Sequence, residues 1–173
     1  MPKLESQPFE SKLDTSSEQF NKNKTSMLSM LEEIDVLLDE AELGGGEHHK
    51  ERLAKRGKLP VRERVFHFLD PDSPFLEISG LAAYKSDYPV GGGAIAGIGV
   101  SAGIECIIFA NDPTVLAGAM HFYSVKKWMR AMQIARDSRL PFIQFVESAG
   151  GDLRPRSNAC LLYTSDAADE LVG

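Results

Sequence analysis

The sequence is short of several things, and each shortage removes a class of function. Its 173 residues include two cysteines, Cys106 and Cys160, too few for a disulfide framework and too far apart for a metal-binding pair. A reducing compartment is expected. No apolar run approaches the roughly 20 residues that a membrane-spanning helix needs. The N-terminus has no apolar signal-peptide core, and Glu5, Glu10, Asp14 and Glu18 are wrong for a transit peptide. A cytoplasmic protein that avoids membranes is the expectation. Positive charge is scarce too. With 19 Lys and Arg against 25 Asp and Glu, the net charge is −6, which disfavours non-specific nucleic-acid binding. His48 and His49 are adjacent and point apart on a helix, so no metal site is expected.

What the chain does have is a succession of periodic segments. Residues 1–24 are polar and have little to bury, which predicts a mobile arm. Met27, Met30, Leu31, Ile34, Leu37, Leu38 and Ala41 then recur at helical spacing until Gly44-Gly45-Gly46 stops the pattern. Ser29 and Glu32 have capping-box spacing. The apolar stripe fits packing on the protein's own domain, with a dimer seam as the other possibility. A short charged helix over 47–56 ends at Gly57. Pro60 opens a third helix with Val61, Val65, Phe68 and Leu69 inside and Arg62, Glu63 and Arg64 outside. Asp70-Pro71-Asp72-Ser73-Pro74 ends it.

Beyond Pro74 the period becomes that of strands. Phe75-Leu76-Glu77-Ile78 is short; 94–100 and 104–110 flank Ser101-Ala102-Gly103 as a β-hairpin. Gly97-x-Gly99-x-x-Ala102 loosely fits a dinucleotide fingerprint, but a strand follows where that motif demands a helix, so the fingerprint is discarded. A small-residue cluster, Ala117-Gly118-Ala119, precedes a helix whose expected buried face is Val125, Trp128, Met129, Met132 and Ala135. Lys126, Lys127, Arg130 and Arg136 fall on its expected exposed side, as a solvated face or as contacts to an anionic ligand. The segment Phe142-Ile-Gln-Phe-Val-Glu-Ser-Ala-Gly-Gly-Asp152 is expected to be a buried strand ending in a small-residue turn. Such a turn can leave peptide N–H groups unpaired as an oxyanion hole, or it can be an ordinary strand-to-helix turn. Strands alternating with helices give an α/β fold.

Several ordered motifs resemble the carboxyltransferase (β) subunits of biotin-dependent acyl-CoA carboxylases. They are Arg56-Gly-Lys-Leu with Arg62-Glu-Arg64, Asp70-Pro-x-Ser-Pro-Phe-Leu-Glu77, Gly91-Gly-Gly-x-x-x-Gly-x-Gly99, Asn111-Asp-x-Thr-Val115, Ala117-Gly-Ala119, Val125-Lys-Lys127 and Glu147-Ser-Ala-Gly-Gly151. The resemblance covers roughly 44–154. It implies a crotonase-like fold of stacked ββα units and transfer of a carboxyl group from carboxybiotin to the α-carbon of an acyl-CoA. It also implies a biotin carboxylase and biotin carboxyl carrier (α) subunit as partner, and a homo-oligomer, a hexamer in the full-length family. By position, the resemblance makes the backbone N–H groups of Ala149 and Gly150 the oxyanion donors. Ala117, Gly118, Ala119 and Gly151 border the acyl-CoA, and Lys126 and Lys127 face its phosphates. Ala117 stands where the family usually carries Gly.

Residues 160–170 resemble the translation of a transposase adapter used in sequencing libraries, and 160–173 are set aside as non-native. The expected divisions are therefore a polar arm over 1–24, a helical segment over 25–69, an incomplete carboxyltransferase domain over 70–159, and the tail. Such a fragment is expected to be inactive alone. Two other functions fit less of the chain, an enoyl-CoA hydratase or isomerase using Glu147 as acid or base and a non-catalytic assembly module, while a biotin-dependent decarboxylase subunit fits it as well as a carboxylase does.

Overall fold

A computed structural model describes residues 11–152. The chain divides into two compact units, 1–36 and 37–173. Most of helix α1 (Glu18–Leu43) belongs to the first. It begins where Ser17 Oγ accepts the Phe20 N–H at 3.2 Å, an N-cap bond. This start corrects two expectations: residues 18–24 are helical rather than an arm, and Ser29 and Glu32 lie inside the helix, where no cap is needed. No residue of α1 is buried, and Met27, Met30 and Leu31 are exposed. Helical periodicity reports a shared face, not what covers it.

The second unit contains α2 (Glu47–Ala54), α3 (Val61–Phe68), β1 (Leu76–Glu77), β2 (Ala94–Ser101), β3 (Ile104–Asn111), a 3-10 turn (Leu116–Gly118), α4 (Phe122–Ser138) and β4 (Phe142–Phe145). The strands form one sheet in the order β1-β2-β3-β4. The first three are antiparallel, and β4 joins β3 in parallel through the α4 crossover. The β2–β3 hairpin turns at Ala102 and Gly103, both left-handed, as a two-residue turn of this hand requires. The Asp70 carboxylate accepts the N–H groups of both residues at 2.7 Å, so the cluster that ends α3 also caps the hairpin. Gly97 and Gly99 lie inside β2, and a Cβ on either would run into Phe75 or Leu69. They are packing glycines, with no helix after them.

Period-2 alternation places the core on both faces of the sheet. Cys106, Ile108 and Ala110 pack with Val61, Val65 and Leu69 beneath α3, while Ile107 and Phe109 pack with Ala131 and Ala135 beneath α4. The result is three layers with β3 at the centre. The face of α4 differs from the expectation: Ser124, Val125, Lys127, Ala131 and Ala135 are buried, Trp128 is half-buried, and Met129 and Met132 are 41% and 39% exposed. Small Ala131 and Ala135 let α4 lie close over Ile107 and Phe109, which turns the larger methionines outward. Strand β4 is half-buried rather than buried, because among the described residues it pairs only with β3.

Candidate functional site

The two small-residue clusters, some 30 residues apart in sequence, lie side by side. Ala149 donates its N–H to the Ala117 carbonyl at 3.1 Å, Met120 donates to Gly150 at 2.8 Å, and Asp152 returns a bond to Met120 at 2.8 Å. These bonds extend the parallel β3–β4 pairing past the strand ends as a backbone ladder. The approach depends on Gly118, since a Cβ there would fall on the Glu147 carbonyl. Asn111, at the end of β3, ties in the other side by donating its side-chain amide to the Gly118 carbonyl at 3.2 Å.

Ala117 has φ 53 and ψ 32, a left-handed conformation that favours glycine. That geometry explains a preference for Gly at this position. It also turns the Ala117 carbonyl toward Ala149. The expectation that the turn leaves its N–H groups unpaired is corrected here: Ala149 is engaged by that carbonyl, and Gly150 donates to Ser148 Oγ at 3.1 Å. The two partners differ in kind. A hydroxyl swings away by one side-chain rotation, whereas the carbonyl is fixed by the ladder. Ala117, Ser148, Ala149, Gly150 and Gly151 are all exposed, and nothing stands within 4 Å of a Cβ position on Gly150.

Charge around the turn is arranged by residues that the sequence placed outside. Arg64 reaches Glu147 Oε2 at 2.8 Å, and Lys58 donates to Oε1 of the same carboxylate. The hydrogen bond from Lys58 and the charge of Arg64 hold Glu147 below the ordinary carboxylate range, against its partial burial. A carboxylate bound on both oxygens and kept ionised is badly placed to exchange protons, which weighs against an acid–base role. Arg62 pairs in the same manner with Glu77 at 2.7 Å. Arg62 and Arg64 are thus structural partners rather than a solvated face.

The two lysines of α4 separate. Lys126 is exposed, its ammonium 4.4 Å from the centre of the Phe122 ring. Lys127, expected on the exposed side, has a fully buried side chain that donates to the Gly91 and Ala94 carbonyls at 3.1 and 2.7 Å. Burial pushes its pKa down to about 8, against the opposing charge of Glu77. Its ammonium fastens α4 to the triglycine turn. A cavity of about 240 Å³ lies beside that turn, lined by Arg62, Glu77, Gly91 and Gly93 among others, and none of its lining residues belongs to 117–119 or 149–151.

Sequence spacing gave no sign of the aromatic support behind the ladder. Tyr88 stacks on His121 with ring centres 4.1 Å apart, and donates its hydroxyl to Asp152 at 3.0 Å. His121 in turn caps α4, sharing reciprocal bonds with Ser124.

A sheet sandwiched between helices is of the α/β class, and its likeness to solved carboxyltransferase subunits makes the fold crotonase-like. The chain belongs to the Carboxyl transferase domain family, which matches residues 52–161. It is 44% identical over 145 residues to the "probable biotin-dependent acyl-coenzyme A carboxylase beta2 subunit" of Mycobacterium tuberculosis, covering 84% of this chain and 27% of that one. It is 41% identical over 144 residues to the mitochondrial methylcrotonoyl-CoA carboxylase beta chain of Dictyostelium discoideum, covering 82% and 24%. Among solved structures, the beta subunit of Pseudomonas aeruginosa geranyl-CoA carboxylase superposes with a TM-score of 0.76 at 36% identity, over 86% of this chain and 28% of that one. The chain therefore spans about a quarter of the length of the curated relatives it matches.

Proposed function

We infer that the chain is the N-terminal part of a biotin-dependent carboxyltransferase subunit, supplying the acyl-CoA side of its active site. The reaction is transfer of a carboxyl group from carboxybiotin to the α-carbon of an acyl-CoA. The observation that carries this reading is the convergence of 117–119 and 149–151 on one backbone ladder, whose Ala117, Ala149, Gly150 and Gly151 are exposed, within a chain of this family. Carboxybiotin, brought by a biotin carboxylase and carrier partner, supplies the carboxyl group. The residues of this chain bind and polarise the other substrate.

Withdrawing the α-proton of a thioester, which biotin freed of its carboxyl group would take up, puts negative charge on its carbonyl oxygen, and fixed peptide dipoles stabilise that charge without reorganisation. Gly150 is the donor nearest to release, because rotation of Ser148 frees its N–H. Ala149 is the second donor. Its bond to the Ala117 carbonyl is then shared or exchanged as the thioester oxygen arrives. Ala117, Ala119 and Gly151 border the acyl chain, where small residues allow close approach, while buried Gly118 lets the two turns meet. Lys126, exposed on the first turns of α4, is the cation for the CoA phosphates. Lys127 serves from below by holding the triglycine turn.

The same reading includes a homo-oligomer, in line with the "hexamer assembly" described for transcarboxylase 12S, which superposes with a TM-score of 0.71 at 25% identity. It includes a cytoplasmic location, which cell fractionation checks; no described helix is long and apolar enough to cross a membrane. The test is transcarboxylation by the complete subunit with its biotin-bearing partner, assayed across short and branched acyl-CoAs. Acyl-CoA-dependent loss of carboxybiotin supports the reading. Hydration of enoyl-CoA without carboxyl transfer contradicts it, as does absence of any acyl-CoA binding by calorimetry. The 173-residue chain alone is expected to transfer no carboxyl group.

A further inference from the structure

We propose that Lys58, Arg64 and Glu147 form a positioning clamp that sets the geometry of the oxyanion turn. Glu147 is the last residue before Ser148-Ala149-Gly150 and lies just beyond the end of β4. Its two carboxylate oxygens are held from different places. Lys58 lies in the loop after α2, where its own N–H is bonded to the Leu53 carbonyl at 3.1 Å. Arg64 projects from α3, whose Val61 and Val65 are buried in the core. The main chain of Glu147 meets a second constraint, because its carbonyl occupies the space that a Cβ on Gly118 would need. One residue is therefore fixed through its side chain by the helical segment and through its backbone by the 3-10 turn. The next peptide groups along the chain are the N–H donors.

The clamp explains why a basic segment over 56–64 and an acidic residue at 147 belong to one site although 89 positions separate Lys58 from its partner. None of the three side chains touches substrate in this scheme. They act through the direction of the Ala149 and Gly150 N–H groups, and misplacing such groups by about 1 Å costs up to a hundredfold in rate. The proposal rests on the carboxyl-transfer reading, and its test separates the two.

In the complete subunit, Glu147→Gln keeps the shape and one acceptor but removes the charge. It is expected to lower kcat about tenfold or more with KM for acyl-CoA within about twofold, since the donors act mainly in the transition state. Above the ordinary 4.5, where Glu147 stays ionised, the shape of the pH–rate profile is that of the wild type. Arg64→Glu should be equally impaired, and the exchange Arg64→Glu with Glu147→Arg, made together with Lys58→Glu so that no cation faces the new arginine, should recover most of the loss. Amide hydrogen exchange at 149–150, without substrate, should be faster in Glu147→Gln. An active wild type with unchanged kcat in Glu147→Gln overturns the clamp. So does a loss of kcat matched by a loss of thermal stability that the exchange fails to restore. Removal of a limb of the pH profile that lies above the ordinary 4.5 would instead make Glu147 a proton-transfer group and overturn it as well. If the wild type transfers no carboxyl group, the functional reading fails. The clamp is then judged on amide exchange alone, where an unchanged rate refutes it.

Discussion

The β2–β3 hairpin and the paired turns beyond β3 and β4 are held by opposite means. In the hairpin, Ile107, Ile108, Phe109 and Ala110 are 0% exposed, and both faces of the sheet are covered by helices. At the turns, Ser148, Ala149, Gly150 and Gly151 are exposed, and order comes from a backbone ladder, a charged clamp and one glycine. Burial fixes the scaffold without directing any polar group. Directional bonds hold N–H groups where a ligand can reach them. The difference predicts that core changes cost stability, whereas changes at the turns cost function first.

The largest stability effect is expected from Phe109→Ala, which removes a fully buried ring at the centre of the sheet. A loss of about 3–5 kcal/mol is typical of such a change, and urea unfolding followed by fluorescence of Trp128, the single tryptophan, reads it. Lys127→Met comes next. It removes a buried cation but strands the Gly91 and Ala94 carbonyls, for a net loss of about 1–3 kcal/mol. Lys127 also predicts a sign. Its folded pKa of about 8 lies below the ordinary 10.5, so the unfolded chain holds the proton longer. Its contribution to stability therefore rises between pH 8 and 10.5 and is flat below, and Lys127→Met should abolish that rise.

Gly118→Ala should move stability less than it moves activity. The added methyl meets the Glu147 carbonyl and parts the ladder, so a fall of about a hundredfold in kcat is expected in the complete subunit, the size of losing one oxyanion donor. Acid should also act on the turns before the core. Glu147 has its pKa below the ordinary 4.5, so its pairing contributes fully above that pH and is lost as pH falls through the depressed value. Amide exchange at 148–151 should rise in that range while 106–110 stays protected. The smallest effect is expected of Ala117→Gly. Relief of the left-handed alanine, about 1 kcal/mol, is offset by the entropy of glycine, leaving stability within about 0.5 kcal/mol.

Much of the scaffold was legible because it depends on local spacing. The hairpin at 101–104, the end of α1 at the triglycine, the start of α3 at Pro60 and the crossover helix after Met120 follow from period, punctuation and turn chemistry. What spacing does not encode is the identity of a distant partner. Arg62 and Arg64 fall off the apolar face of α3 and so suggested solvent, yet each meets a carboxylate from another element. Lys127 was misplaced for the related reason that its partners are backbone carbonyls, which no residue name reveals. The two small-residue clusters were visible individually; their pairing required the sheet. That same pairing consumes the Ala149 N–H, so the site is less open than a small-residue turn suggested.

The most direct test is residue-resolved amide exchange at Ala149 and Gly150 in the complete subunit, with and without a saturating acyl-CoA. Acyl-CoA should slow exchange at Gly150 most, with Ala149 changing less because it is already bonded to Ala117. Protection elsewhere in the bound subunit, with Gly150 unchanged, would contradict the role given to this turn.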